Sequence, residues 1–139
     1  MTINQIQDEI IEEFEEFDDW MDKYSYIIEQ SSILETLPEK ARNDSNLIDG
    51  CQSRVWITAE NSNGIVTYHA DSDAILVKGL IALLMRVLNE QPAKDIATAD
   101  LYFIDKIGMK ENLSPTRANG FLSMIRQMKL YAIEIIENL

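Results

Sequence analysis

An apolar run over residues 74–89 limits the possible folds more than any other feature of this sequence. Ser72 or Asp73 can cap a helix over this run, and Pro92 ends it. Apolar side chains would cover almost its whole circumference: Ile75, Leu76, Val77, Leu80, Ile81, Leu83, Leu84, Met85, Val87 and Leu88. A helix that is apolar on every side is buried, so the rest of the chain must surround it. Gly79 in its interior predicts close packing against a sheet.

The segment before this helix has the periodicity of strands. Residues 55–60 alternate between apolar and polar, residues 61–64 have the composition of a turn, and residues 65–69 form a returning strand. This pattern predicts an antiparallel hairpin. A weaker pattern predicts a short third strand over residues 100–104.

Amphipathic helices are predicted at both ends of the chain. The first has an apolar stripe of Ile6, Ile10, Phe14 and Phe17. A second begins at Asp18 or Asp19, and a last one at Ser114 and Pro115. The stripe of the last helix is Phe121, Ile125, Met128, Ala132, Ile135 and Leu139. No linker or repeat divides the sequence, so we expect a single domain over residues 1–139. Its class would be α+β, with a small antiparallel sheet of about three strands packed against helices.

The charge of the chain restricts its partners. It has 12 basic and 24 acidic residues, a net charge of −12. Nucleic acids and anionic membranes both attract cations, so we expect neither as a partner. A protein with a basic surface fits this charge better. The stretch from Asp8 to Asp22 is rich in acids and has no basic residue. A solvated helix face is the simpler interpretation of that stretch, and a docking surface is the alternative.

The sequence also predicts a cytoplasmic location. Its first residues lack the basic and apolar regions of a secretory signal. Its longest apolar run is much shorter than the roughly 20 residues that span a bilayer.

Cys51 is the only cysteine of the chain. An internal disulfide is therefore excluded. The chain also lacks the four thiolates that hold an iron–sulfur cluster and the four cysteine or histidine ligands of a usual structural zinc site. We accordingly expect no metal site and no bound cofactor. A lone cysteine is commonly a small core residue. Here an Asp-Gly pair precedes it and a Gln-Ser pair follows it, which predicts a polar loop with the sulfur within reach of another protein.

The neighbours of Cys51 do not predict an activated thiol. From the sequence we expect Asp49 and the negative charge of the chain to raise its pKa, and Arg54 to oppose that effect. We therefore expect a thiol that reacts when a docked partner supplies a positive charge or a base. His69 is the only histidine and the one imidazole that a cysteine hydrolase could use. A surface position at the end of a strand is the simpler interpretation of His69.

Arg117 is an unusual residue for the start of a helix. A cation in the first turn opposes the helix dipole, which indicates a role elsewhere. Pairing with a carboxylate at a functional site and a structural salt bridge explain it equally well.

Four blocks of the sequence carry a family resemblance. They are residues 20–28 (WMDKYSYII), 47–56 (LIDGCQSRVW), 71–82 (DSDAILVKGLIA) and 113–120 (LSPTRANG). In this order and spacing, across nearly the whole chain, they resemble the SufE family of cysteine desulfuration proteins. The resemblance implies an α+β sandwich of the SufE/IscU type.

The resemblance also implies a function. SufE-like proteins accept persulfide sulfur from a SufS-type, pyridoxal-phosphate-dependent cysteine desulfurase and stimulate its turnover. They pass the sulfur to the SufBCD scaffold complex for iron–sulfur cluster assembly. The resemblance assigns the acceptor sulfur to Cys51, and it assigns Asp73 and Arg117 to desulfurase contact or to support of the cysteine loop. The chain would then be a transfer partner and not an enzyme, as a monomer or a homodimer. The alternatives are an adaptor that activates a desulfurase without carrying sulfur, an iron–sulfur scaffold, and a thiol hydrolase.

Overall fold

The computed structural model describes residues 1–138, and helix α3 (Ile75–Leu88) is its core. The predicted burial of this helix is confirmed, because Leu83, Leu84 and Leu88 have no exposed surface. The predicted contact of Gly79 with a sheet is wrong. Gly79 lies against helix α2 (Trp20–Gln30), where a Cβ atom would come within 2.1 Å of the Ile27 carbonyl oxygen. A glycine is required there because the two helices approach so closely.

The sheet has three antiparallel strands in the order β1-β2-β3. Strands β1 (Val55–Ser62) and β2 (Ile65–Ser72) form the predicted hairpin, joined by Asn63 and Gly64. Both turn residues have positive φ, 53° and 86°, as the first and second residues of a type I′ turn do. Strand β3 (Gln91–Pro92) pairs with the beginning of β2, at Ile65 and Val66.

The third strand predicted over residues 100–104 is wrong. This part of the chain contains helix α5 (Phe103–Lys106) instead. Phe103, Ile104 and Ile107 are all buried, and their spacing of one and three residues is helical. The side chain of Gln7 fixes the entry to this helix, because it accepts a hydrogen bond from Phe103 N and donates one to Asp100 O.

The remaining helices surround the core. The chain begins with α1 (Ile3–Glu15), and α4 (Ala93–Thr98) and α6 (Met109–Asn112) are short. The last helix, α7 (Pro115–Glu137), is capped by Ser114 as predicted, and Asp19 is the predicted cap of α2. The predicted stripe of α7 packs inward through Phe121, Met128 and Ala132, while its last member, Leu139, lies outside the described residues. The predicted α+β class, with a three-stranded antiparallel sheet packed against helices, is confirmed.

Part of the acidic face of α1 is bound to the core. Arg86 of α3 donates to Glu13 at 2.6 Å and lies 3.6 Å from a carboxylate oxygen of Glu9. The hydrogen bond from Arg86 lowers the pKa of Glu13, although burial opposes this effect. Within residues 1–138, no helix has both the length and the apolar character that crossing a membrane requires.

Candidate functional site

Cys51 lies in the loop that leads into strand β1. The base of this loop is closed by a hydrogen bond of 2.9 Å from Ile48 N to Val55 O. Gly50 has a φ of 87°, in the left-handed region that favours glycine. A Cβ atom at Gly50 would also lie 2.7 Å from Ser123 Oγ of α7. Glycine therefore allows the loop both to turn and to lie against α7.

A cavity of about 210 Å³ adjoins the cysteine. Residues 51–53 of the loop line it together with Val77 of α3 and the first turns of α7. Cys51 is half-buried, and its Sγ donates a hydrogen bond of 3.5 Å to the carbonyl oxygen of Gly120. The sulfur thus contacts the second turn of α7, while the cavity beside it extends to the first turn, at Ser114, Thr116 and Arg117, where the helix dipole favours negative charge.

Burial raises the pKa of the Cys51 thiol. The sequence predicts a thiol that is not activated in the free chain, and the direction of this shift agrees with that prediction. Its cause is the partial enclosure of the sulfur, because burial disfavours the charged thiolate.

We expect the alkylation of Cys51 by iodoacetamide to show this raised pKa. The reactive form is the thiolate, so the rate should rise with pH through a midpoint above about 8.5, the ordinary value for a thiol. Rates measured by intact-mass spectrometry from neutral to alkaline pH test the prediction. The urea-unfolded chain is the control for the same thiol, and a lower midpoint in the folded chain than in the unfolded one would contradict the shift.

Arg117 lies in the first turn of α7 and lines the same cavity as Cys51. Its backbone N–H donates to the capping Ser114 Oγ at 3.3 Å, and its side chain is exposed. Within residues 1–138, no carboxylate lies within ion-pair distance of its guanidinium group. The structural salt bridge that was one explanation of Arg117 is therefore not found among these residues. Its guanidinium group can instead pair with an anion in the cavity.

Asp73 lies outside this cavity but holds the end of the cysteine loop. Its carboxylate accepts a hydrogen bond of 3.1 Å from Arg54 N, and its own N–H donates to Arg54 O at 3.3 Å. The prediction that Ser72 or Asp73 caps α3 is wrong, because Ala74 is the N-cap and no side chain caps the helix. Ser72 Oγ also donates to Arg54 O, so both predicted caps bind the residue that immediately precedes β1.

His69 is not part of the cysteine site. It lies on β2 opposite Thr58, and its Nε2 is 4.0 Å from a carboxylate oxygen of Glu60. The cavity beside Cys51 contains no histidine among its described residues, so this structure lacks the cysteine–histidine pair of a thiol hydrolase. Nor do residues 1–138 contain a group of three or more metal-ligating side chains.

The sequence analysis missed Asp71, a carboxylate that is fully buried at the end of β2. Arg42 and Lys78 form ion pairs with it, and the backbone N–H groups of Leu37 and Ser72 donate to it. Burial alone raises the pKa of Asp71, but these partners outweigh burial and leave it below its ordinary value. Asp71 thereby anchors the irregular segment that leads from α2 to the cysteine loop. No local signal separates it from Asp73, since two of its partners, Arg42 and Leu37, lie 29 and 34 residues away in the sequence.

We expect Asp71→Asn to lower the free energy of unfolding by about 2 kcal/mol at neutral pH, since buried hydrogen bonds to a charged group are lost. The pKa of Asp71 is lowered in the folded state, so its contribution is complete above the unfolded pKa, near 4, and is lost as pH falls through the folded value. Urea unfolding of both proteins at neutral and acid pH measures this difference, which should shrink in acid. Asp18→Asn, at an exposed residue, is the control. An equal loss at every pH would contradict the prediction.

Comparison with known proteins identifies the family. The family model for SufE, described as an Fe-S metabolism associated domain, matches residues 8–132. An uncharacterized SufE-like protein of Rhizobium etli is 40% identical over 127 residues, which cover 88% of this chain and 86% of that protein. One of Rhizobium meliloti (strain 1021) is 39% identical over 127 residues, with coverage of 88% and 91%.

A solved structure shares the fold. The solution structure of a hypothetical protein from Thermus thermophilus aligns with a TM-score of 0.78 over 95% of this chain and 96% of that one. Its sequence is 16% identical, so this likeness shows the fold alone. The resemblance drawn from the four sequence blocks is confirmed by the family match and by the two relatives. This chain belongs to the SufE family, whose domain is associated with Fe–S metabolism.

Proposed function

We propose that this chain carries sulfur on Cys51. It accepts the outer sulfur of the persulfide on a SufS-type cysteine desulfurase, stimulates that enzyme, and passes the sulfur to the SufBCD scaffold complex in the cytoplasm. The observation that carries the proposal is the position of the only cysteine, on a glycine-supported loop beside a cavity shared with Arg117 and the start of α7. Membership of a family associated with Fe–S metabolism supports the same role.

The transfer follows thiol–disulfide exchange chemistry. The Cys51 thiolate attacks the outer sulfur of the donor persulfide, the new sulfur–sulfur bond forms, and the donor cysteine leaves as a thiolate. The Cys51 proton goes to a base of the docked partner or to solvent. Because burial raises the pKa of this thiol, the free chain has little thiolate at neutral pH. Docking completes the activation, which limits reaction in the absence of the desulfurase.

The surroundings of Cys51 suit a negatively charged product. The cavity has room for the added sulfur atom, and Arg117 together with the start of α7 stabilises an anion there. Asp73 supports the transfer from outside the cavity, since it fixes Arg54 at the end of the loop. We propose these as the roles of Arg117 and Asp73. The net charge of −12 directs the chain to partners with basic surfaces.

The test is intact-mass spectrometry after incubation with a SufS-type desulfurase, pyridoxal phosphate and cysteine. We expect the chain to gain one or more sulfur atoms, which a reductant removes and which peptide mapping locates on Cys51. The same protein with Cys51 alkylated beforehand is the control and should gain none.

Other results would identify the alternatives. A chain that accelerates an active desulfurase but gains no sulfur would be an adaptor. Iron-dependent visible absorbance after reconstitution would indicate a scaffold, and either result would overturn the sulfur-carrier proposal.

A further inference from the structure

The charge of the cysteine cavity is opposite in sign to the charge of the chain. Arg117 is the one charged side chain among the described residues that line the cavity, and it forms no ion pair within residues 1–138. Asp49, in the cysteine loop, and Asp73, at its end, are not part of this lining. A small anion that enters the cavity therefore meets a guanidinium group, although the chain has a net charge of −12.

The size of the cavity limits what this anion can be. Its volume of about 210 Å³ is smaller than the roughly 300 Å³ or more of sites for drug-sized ligands. A molecule of amino-acid size fits this space, whereas a segment of folded protein does not. Several lining residues are exposed, which opens the cavity to solvent: Gln52, Ser114, Thr116 and Arg117. A small molecule can therefore enter while no partner protein is bound.

The cavity changes from polar to apolar along helix α7. Arg117 lies three residues before Gly120, whose carbonyl accepts the hydrogen bond from Cys51, and Met124 lies four residues after it. These separations are about 4.5 Å and about 6 Å along the helix axis. Met124 and Val77 are buried and supply apolar surface to the lining. A molecule with a sulfur at one end and a carboxylate a few bonds away matches this spacing, with its sulfur beside Cys51 and its carboxylate at Arg117.

We propose that Cys51 also accepts sulfur directly from a low-molecular-weight persulfide whose carboxylate is bound by Arg117. The donor is a molecule R–S–SH of amino-acid size in which R carries the carboxylate. This inference rests on the proposed function, because both require Cys51 as the sulfur acceptor. It adds a route by which the chain is loaded without a desulfurase.

The transfer needs neither an oxidant nor a reductant. The Cys51 thiolate attacks the outer sulfur of the donor, and a bond forms between Cys51 Sγ and that sulfur. The bond between the two donor sulfurs breaks, and its electron pair leaves with the inner sulfur as the thiolate R–S⁻. The hydrogen on the outer sulfur stays there, so the product is a persulfide on Cys51. The proton that Cys51 loses beforehand goes to solvent and is available to the departing thiolate.

The first test asks whether the cavity recognises a carboxylate near Cys51. Iodoacetate and iodoacetamide are similar in shape and differ in the carboxylate. We expect the ratio of their alkylation rates, iodoacetate over iodoacetamide, to be about threefold to fivefold higher in the folded chain than in the urea-unfolded chain, because one exposed ion pair is gained. Arg117→Gln should abolish this increase. Arg126→Gln, an equal charge change at an exposed residue of α7 outside the cavity lining, should preserve it.

The second test measures sulfur loading without a desulfurase. The chain is incubated with the persulfide of 3-mercaptopropionate or with that of 2-mercaptoethanol, which lacks the carboxylate, and its mass is followed over time. We expect the ratio of the two loading rates to be about threefold to fivefold higher in the wild type and in Arg126→Gln than in Arg117→Gln. The different intrinsic reactivity of the two donors cancels in this comparison. Cys51→Ser should gain no sulfur from either donor.

Equal reagent ratios in the wild type and in Arg117→Gln would overturn the proposal, and so would equal donor ratios. If the same chain still gains sulfur from an active desulfurase, the proposed function stands and only the small-molecule donor is rejected. A chain that gains sulfur neither from the desulfurase nor from the small persulfides would contradict both proposals.

Discussion

The Cys51→Ser variant should gain no sulfur from an active desulfurase and should leave the desulfurase at its unstimulated rate. A hydroxyl cannot form the sulfur–sulfur bond, so the loss should be complete and not partial. The fold should survive, because serine is only slightly smaller than cysteine and its hydroxyl can still donate to Gly120 O. We expect a change in the free energy of unfolding within about 1 kcal/mol. The measurements are sulfide release by the desulfurase and the mass of the variant after incubation.

A neighbouring serine provides the matched control. Ser53 lies in the same loop and lines the same cavity as Cys51. Ser53→Ala removes a polar group but keeps the thiol, so it should gain sulfur and stimulate the desulfurase. Stimulation that persists in Cys51→Ser would instead show that docking alone activates the enzyme, in agreement with an adaptor.

Gly79→Ala should be the most destabilising single-methyl change in the chain. The added Cβ would lie 2.1 Å from Ile27 O and 2.7 Å from Ile27 C, both backbone atoms of α2. Backbone atoms cannot rotate away as a side chain can, so α2 and α3 would have to separate across the core. We expect a loss of more than about 4 kcal/mol in the free energy of unfolding, and the variant to be largely unfolded if the chain is marginally stable. Urea unfolding followed by circular dichroism measures the loss.

Gly120→Ala is the matched control for this clash. Gly120 also lies inside a helix, but a Cβ atom there would meet only ordinary contacts, 3.6 Å from Cys51 Sγ. Alanine favours helix over glycine by up to about 1 kcal/mol, so this variant should be as stable as the wild type or more stable. Equal losses at the two glycines would mean that helix packing at Gly79 is looser than the structure describes.

The parts of the fold that follow from local patterns were predictable from the sequence. The apolar circumference of α3 predicted its burial, and the alternation from Val55 followed by a turn predicted the hairpin. Strand β3 could not be predicted, because two residues have no periodicity and its pairing depends on β2. Gly79 was correctly predicted to mark a close approach, but only tertiary structure reveals that the neighbour is α2.

The residues of the candidate site could be singled out from the sequence, but their arrangement could not. Cys51 and Arg117 were both singled out from the sequence, and the structure brings them to one cavity. Asp73 was predicted as a possible helix cap, and the resemblance also implied desulfurase contact or support of the cysteine loop; its carboxylate binds Arg54 at the end of that loop. The cavity itself depends on a contact between Cys51 and Gly120, which are 69 residues apart. A local sequence pattern cannot show that two residues so far apart in the chain are in contact. The burial and ion pairs of Asp71 were missed for the same reason.

The hydrogen bond from Cys51 to Gly120 can exist only while the thiol carries its proton. Among the described residues it is the only hydrogen bond that holds the tip of the loop, residues 49–53, to the rest of the protein. Only the protonated thiol has a hydrogen to donate, and a thiolate or a persulfide anion would face the carbonyl oxygen with like charge. The protonated chain is therefore the form in which this hydrogen bond is made, and under the proposed function the loop loses it when the sulfur becomes reactive. One proton on Cys51 therefore decides both whether the sulfur is a nucleophile and whether this contact exists.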